Sequence, residues 1–231
     1  MIEYIRESMS NLSAQNLRLH NKPVYMIKPF NNDINFDSIL QRIESLIPIH
    51  LTDEFEGIYV GNFNDFHKKN RSFNALYKDG SIYVSNNQDD NEDLIDDLVH
   101  EMAHAIENSS ELNDVIYGDY NLESEFLAKR RSLYYLLDKN TYNMLYYLSP
   151  EYNAKFDNHL YKELGYDYLR NTSAGLFYSP YAITSLKEYW ANGFENYLLG
   201  DKQKLKDLSP VLYNKVEKIL NTDKEDLYHE N

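Results

Sequence analysis

The sequence predicts an α+β fold: a small mixed sheet that carries one chemically distinctive helix, followed by a mainly helical C-terminal half. Three observations predict it. Short β-branched and aromatic runs with a tight-turn signal lie before residue 86. Apolar residues at three- and four-residue steps dominate after residue 91. Ser-Pro pairs then recur at 149, 179 and 209, each offering a Ser N-cap with Pro at the first helical position.

Taken in order, Ile2, Ile5, Met9, Leu12, Asn16 and Leu19 place an amphipathic helix over Met1 to Leu19 that Pro23 ends. Val24 to Ile27 reads as a strand. Phe36, Ile39, Leu40, Ile43, Leu46 and Ile47 form the apolar face of a second helix, stopped at Pro48. Gly57 to Gly61 is the next strand. Asn74 to Tyr77 and Ser81 to Ser85 flank Lys78-Asp79-Gly80, where Asp-Gly supplies the positive φ of a hairpin turn. The polar run Asn86 to Asn91 leads into a helix from about Glu92 to Glu107, whose early acids Glu92, Asp93, Asp96 and Asp97 suit the positive end of the helix dipole. Helices are expected at Leu122 to Leu137, at about Pro180 to Leu199 and at about Pro210 to Leu220. No linker divides the chain, which reads as one domain over 1–231 with an α/β half to about residue 108 and a helical half over 109–231.

Composition narrows the chemistry. In 231 residues, 23 basic and 37 acidic side chains give a net charge of −14 and a pI near 4.9. That disfavours nucleic acid and anionic membranes as partners, because both need a basic stripe. Mean hydropathy is −0.65 and no apolar run reaches membrane-spanning length. With no cysteine, a thiolate metal site and a thiol nucleophile are excluded, so any bound metal must use His and carboxylates. The N-terminus lacks the basic start and apolar core of a signal peptide, so the cytoplasm is the expected compartment, with virion association or another delivery route as alternatives. The oligomeric state is not readable from the sequence.

His100-Glu101-Met102-Ala103-His104 is an HExxH motif inside the third expected helix. At ~100° per residue the two histidines project about 40° apart on one face, so both imidazoles can reach one ion. Two neutral histidines leave Zn²⁺ acidic enough to activate water, and the adjacent Glu101 carboxylate can take the proton. The plain alternative is an ordinary amphipathic helix with Leu94, Ile95, Leu98, Met102 and Ala105 facing a core. A third ligand decides between them. Glu107 and Ser110 stand where a metzincin has Gly and His, which excludes that class. Glu123 and Glu125 open one later helix, and Glu188 lies in another. Glu188 also fits a capping box with Ser185, and Glu125 fits an i,i+4 pair with Lys129. On a continuous helix Tyr181 and Glu188, seven residues apart, would project within about 20° of each other, and a tyrosine there could donate to a developing oxyanion.

Hairpin, HExxH helix, then Tyr181, six residues, Glu188, Tyr189-Trp190, Ala191 and Phe194 together resemble the catalytic domain of anthrax toxin lethal factor and the related clostridial Pro-Pro endopeptidases, which are gluzincins of zincin-like fold. The resemblance covers about residues 74–108 and 178–220. It implies that His100, His104 and Glu188 bind zinc, that Glu101 activates water and that Tyr181 steadies the tetrahedral intermediate. It further implies an extended peptide or protein substrate, lying by strand addition against the strand Ile82 to Ser85 as an edge. The chain departs from the pattern in the 84 residues from His104 to Glu188, which need a helical insertion over 109–177, and in Asn192, where lethal factor has a second glutamate. Those departures favour, as the alternative, a catalytically silent zincin-fold protein with a structural or assembly role.

The remaining histidines carry no motif. His20, His50, His67 and His229 read as solvated, and His159, near Asp157, as an accessory group. Lys129-Arg130-Arg131 reads as an exposed basic helix face, and the tyrosines at 134, 135, 142, 146, 147 and 152 as half-buried helix packing.

Overall fold

The computed structural model describes residues 17–68, 71–108, 118–137 and 143–222. It is a mixed α+β structure whose chain falls into two compact units, Met1–Ile106 and Glu107–Asn231. No helix among the described residues is long and apolar enough to cross a membrane.

The first unit is built on strands β1 (Arg18–Leu19), β2 (Lys22–Met26), β3 (Ile58–Gly61), β6 (Ala75–Lys78) and β7 (Ser81–Ser85) in the spatial order β1-β2-β3-β7-β6. β2–β3 and β3–β7 are parallel, whereas β1–β2 and β6–β7 are antiparallel. β4 (His67–Lys68) and β5 (Arg71–Ser72) make a separate two-stranded ribbon. Because side chains alternate along each strand, Val24, Ile58 and Ile82 align on one buried face. Tyr25, Tyr59 and Tyr83 stack across the other, with centroids 4.8 and 5.3 Å apart. Phe63, Phe66 and Leu76 cover part of that tyrosine ladder.

Most of the expected elements before residue 108 form. Asp79 and Gly80 both take positive φ, 51° and 77°, and close the β6–β7 hairpin as two-residue turns require. α1 (Phe36–Leu46) is capped by the Asn35 side chain and buries Phe36, Ile39, Leu40 and Ile43. The expected N-terminal helix lies outside the described residues except for its end, where Leu19 belongs to β1 instead. One expectation is corrected: β7 is not an edge. Its two flanks are taken by β3 and β6, because the parallel pairing with β3 buries Ile82 and Val84 completely. β6 is an edge.

α2 (Asn91–Glu107) carries the HExxH motif. The Asp90 carboxylate starts it by accepting from the backbone N–H groups of Glu92 and Asp93, at 2.8 and 3.0 Å. Arg42 of α1 grips Glu92 with both carboxylate oxygens at 2.7 Å. Gln88, itself buried, donates to the carbonyls of Asn74 and Ser85 and fixes the approach from the hairpin to the helix. Leu94, Ile95, Leu98, Val99, Met102, Ala105 and Ile106 are at most 2% exposed, and the larger of them each contribute about 1.5–3 kcal/mol by leaving water.

The second unit contains α3 (Tyr120–Leu136), α4 (Ala154–Asn158), α5 (Tyr166–Thr172), α6 (Leu186–Leu199), α7 (Lys202–Leu208) and α8 (Pro210–Asn221). A π-helical stretch, His159–Gly165, joins α4 to α5. Three expectations are corrected here. Ser149-Pro150 opens no helix; α4 starts four residues later on an Asn153 cap, and the Ser149 carbonyl accepts from Arg130. Pro180 opens only a short 3-10 turn, Tyr181–Ile183, and α6 starts afresh at Leu186. Lys129 and Arg130 are not an exposed face but 8% and 0% exposed. Arg130 donates to the carbonyls of Ser149 and Tyr146 and lies 4.5 Å from the Phe156 ring centre.

Candidate metal centre

His100 and His104 sit on consecutive turns of α2, their ring centres 5.0 Å apart. Both are partly exposed, while Val99, Met102, Ala103 and Ala105 between and beside them are buried. The apolar stripe thus fixes the helix rotation and sends the imidazoles to its border. That arrangement reconciles the two readings of the motif, because the helix uses one face for the core and the adjacent one for the histidines.

A candidate third donor lies on α6. Among the described residues, His100, His104 and Glu188 each offer a ligand atom, and those three atoms lie within 4.8 Å of one another. Tetrahedral bonds of about 2.0–2.2 Å would put such donors about 3.3–3.6 Å apart, so the set fits zinc after small side-chain adjustment. Its chemistry fits as well: two nitrogen donors and one carboxylate, with no thiolate in the chain.

The capping reading of Glu188 is realised through its backbone. Ser185 Oγ accepts from the Glu188 N–H at 3.2 Å and starts α6, which leaves the assignment of the carboxylate to the geometry above. Tyr181 does not share a helix with Glu188. The 3-10 turn that holds it ends at Ile183, and Ser185 takes extended φ and ψ of −160° and 167°, so the projection that would align the two side chains does not apply.

Glu125 is occupied elsewhere. Its two oxygens accept from the N–H groups of Val211 and Leu212 at 2.9 and 3.2 Å, capping α8 from another helix, and from the Tyr189 hydroxyl at 2.8 Å. Burial, then the Glu125 charge, push the Tyr189 phenol well above its usual range, so it stays a donor. Lys129 does not pair with Glu125 along the helix. It donates to the carbonyls of Leu176 and Leu208 and to Ser209 Oγ, and burial lowers it to about 8. Glu123 is partly exposed on the first turn of α3.

Of the carboxylates on α2 near the two histidines, Asp97 and Glu107 carry no sequence signature of their own. Glu101 is 9% exposed, and its Oε2 accepts from the backbone N–H of Tyr77 on β6 at 2.5 Å. Asp97, one turn earlier on α2, is pushed up to about 7, first by burial and then by the Glu101 charge. His100 opposes that shift. Glu107, the last residue of α2, is buried and paired with Lys187 at 2.6 Å, beside Glu188 in sequence. Asp97 and Glu107 were visible only as positions four before Glu101 and three after His104, which is helix arithmetic without a motif.

The other histidines are not part of a metal cluster among the described residues. His159 is 1% exposed and bonded to Glu163 at 2.7 Å, and His20 contacts the Ile47 carbonyl. His229 lies outside the described residues, and Asn192 is buried on α6. The chain matches no protein-family model, and no curated protein or solved structure is significantly similar to it.

Proposed function

We propose that the chain is a zinc-dependent peptidase of gluzincin type, with a zincin-like fold, that cleaves extended peptide or protein substrates. The observation that carries the reading is the close grouping of His100, His104 and Glu188, which adds a carboxylate to the two histidines of an HExxH helix. Zinc held there would supply Lewis acidity, polarising a peptide carbonyl and lowering the pKa of water toward neutrality. Glu101, on the same helix and next to His100 in sequence, is the base that takes the proton from the attacking water and delivers it to the leaving amine. Tyr181, which lies on its own short turn and not on α6, is the proposed oxyanion donor. The substrate would lie along β6, an edge strand, and not along β7.

The test is Glu101→Gln assayed with a peptide library alongside metal analysis. Wild type should cleave and hold about one zinc per chain, whereas Glu101→Gln should hold the same zinc and lose cleavage by about two to four orders of magnitude. Cleavage undiminished in Glu101→Gln would sink the mechanism. Zinc bound by a wild type that cleaves no library would instead favour a structural protein that keeps the fold without turnover.

A further inference from the structure

The Glu101–Tyr77 hydrogen bond has consequences for how a substrate would enter. In a hairpin closed by the two-residue turn Asp79-Gly80, Lys78 and Ser81 exchange the hydrogen bonds nearest the turn. Bonded positions then alternate along β6 as Lys78, Leu76 and Asn74, and Ser85 N–H does donate to the Asn74 carbonyl at 2.7 Å. Tyr77 and Ala75 fall on the other alternation, so their N–H and C=O groups point away from β7, toward the open side of the sheet. Among the described residues no strand pairs with that side. What occupies the Tyr77 N–H is the Glu101 carboxylate, at 2.5 Å.

A peptide that adds to β6 in antiparallel register bonds to these outward groups, two residues apart, and Tyr77 N–H is one of them. That N–H can make one good bond. It serves the carboxylate or the incoming peptide carbonyl, and the same exchange decides whether Glu101 Oε2 is held by the sheet or released.

We infer that Glu101 is a latch on the substrate edge: in the free chain its carboxylate caps the Tyr77 N–H, and an extended peptide docking on β6 displaces it and frees it for proton transfer. The inference rests on the peptidase reading for the role of Glu101 and deepens it by naming how the base is regulated. It gives the resting chain a blocked edge, which also suppresses unwanted strand pairing. It further makes proton abstraction conditional on a peptide long enough to reach Tyr77.

The experiment follows the Tyr77 amide by NMR in wild type, Glu101→Ala and Glu101→Gln, with the blocked peptide acetyl-Ala-Lys-Ala-Lys-Ala-Lys-amide as probe. In the free proteins the Tyr77 amide should exchange with solvent roughly tenfold faster in Glu101→Ala than in wild type, while the Leu76 amide, bonded to β7, is unchanged. The peptide should bind Glu101→Ala about fivefold tighter than wild type. Glu101→Gln, whose side-chain carbonyl still accepts from Tyr77, should lack that gain. Charge works in the opposite direction, since losing an anion weakens binding of a cationic peptide, so tighter binding to Glu101→Ala isolates release of the latch. Equal or weaker affinity in Glu101→Ala than in Glu101→Gln overturns the inference, as does a Tyr77 amide that exchanges no faster in Glu101→Ala than in wild type. Neither measurement needs turnover or metal, so failure of the peptidase reading, seen as a wild type without zinc or cleavage, is a separate result.

Discussion

Two glutamates that look interchangeable in the sequence differ in what their oxygens touch, and the difference is measurable. Glu125 spends both oxygens on the Val211 and Leu212 N–H groups and the Tyr189 hydroxyl. Glu125→Ala should therefore cost about 2–4 kcal/mol in denaturant unfolding, from a lost cap and stranded buried donors, and leave zinc content unchanged. Glu188→Ala should lose the zinc; metal lost on Glu125→Ala alone would reverse the ligand assignment. Asp97 adds a pH signature. Its folded pKa, about 7, lies above that of an unfolded carboxyl near 3.9. The folded chain thus binds more protons over that window, and the stability Asp97 contributes below about pH 4 is lost as pH rises through 7. In metal-free protein the stability gained by Asp97→Asn should grow from pH 5 to pH 8. A gain that stays constant over that range would contradict the burial argument. The pair Asp97 and Glu101 was legible only as helix-face neighbours, because burial is a property of what covers the face.

At the scale of elements, periodicity located α1 and α2 and the Asp-Gly turn located the hairpin, since those signals are local. The break between Tyr181 and Glu188 was not legible. Pro180 and Ser185 each satisfy a helix start, and the sequence alone did not say that both are used, the first for one turn only. α6 also hides a packing constraint in Gly193. A Cβ there would lie 2.3 Å from Leu212 Cδ2 and 2.6 Å from its Cγ, so α6 and α8 approach more closely than any larger residue permits. Alanine for glycine inside an exposed helix stabilises by about 1 kcal/mol, but here Gly193→Ala should destabilise by about 1–3 kcal/mol. Combining it with Leu212→Ala should recover part of that loss, and strict additivity in the double-mutant cycle would refute the contact. The Lys187–Glu107 pair is the other such constraint. Lys187→Met removes this partner from a carboxylate whose side chain is fully buried and should cost about 3 kcal/mol, whereas Glu107→Gln with Lys187→Met should cost less.

For the whole molecule, the α+β class and the order of sheet before helices followed from the sequence, because they rest on hydrophobic period and turn chemistry. Which strand forms the edge did not, since the parallel insertion of β7 between β3 and β6 depends on contacts more than 20 residues apart. The buried Lys129 and Arg130 escaped for the same reason: a basic run reads as solvated until carbonyls from Leu176, Leu208, Ser149 and Tyr146 converge on it. The global quantity that was legible is charge. A chain of −14 carries Asp89, Asp90, Glu92, Asp93 and Asp96 exposed at the start of the helix that bears His100 and His104. Such a field raises the local concentration of cationic peptides and repels anionic ones. If the peptidase reading holds, kcat/KM at low salt should favour a lysine-bearing peptide over its glutamate-bearing counterpart by about three- to tenfold. The exposed acids are screened over about 10 Å at 0.1 M salt and about 3 Å at 1 M, so the preference should shrink toward unity as salt rises. A preference that survives 1 M salt would place the discrimination in direct contacts with the substrate, and a preference for the acidic peptide would remove the acidic start of α2 from substrate recognition.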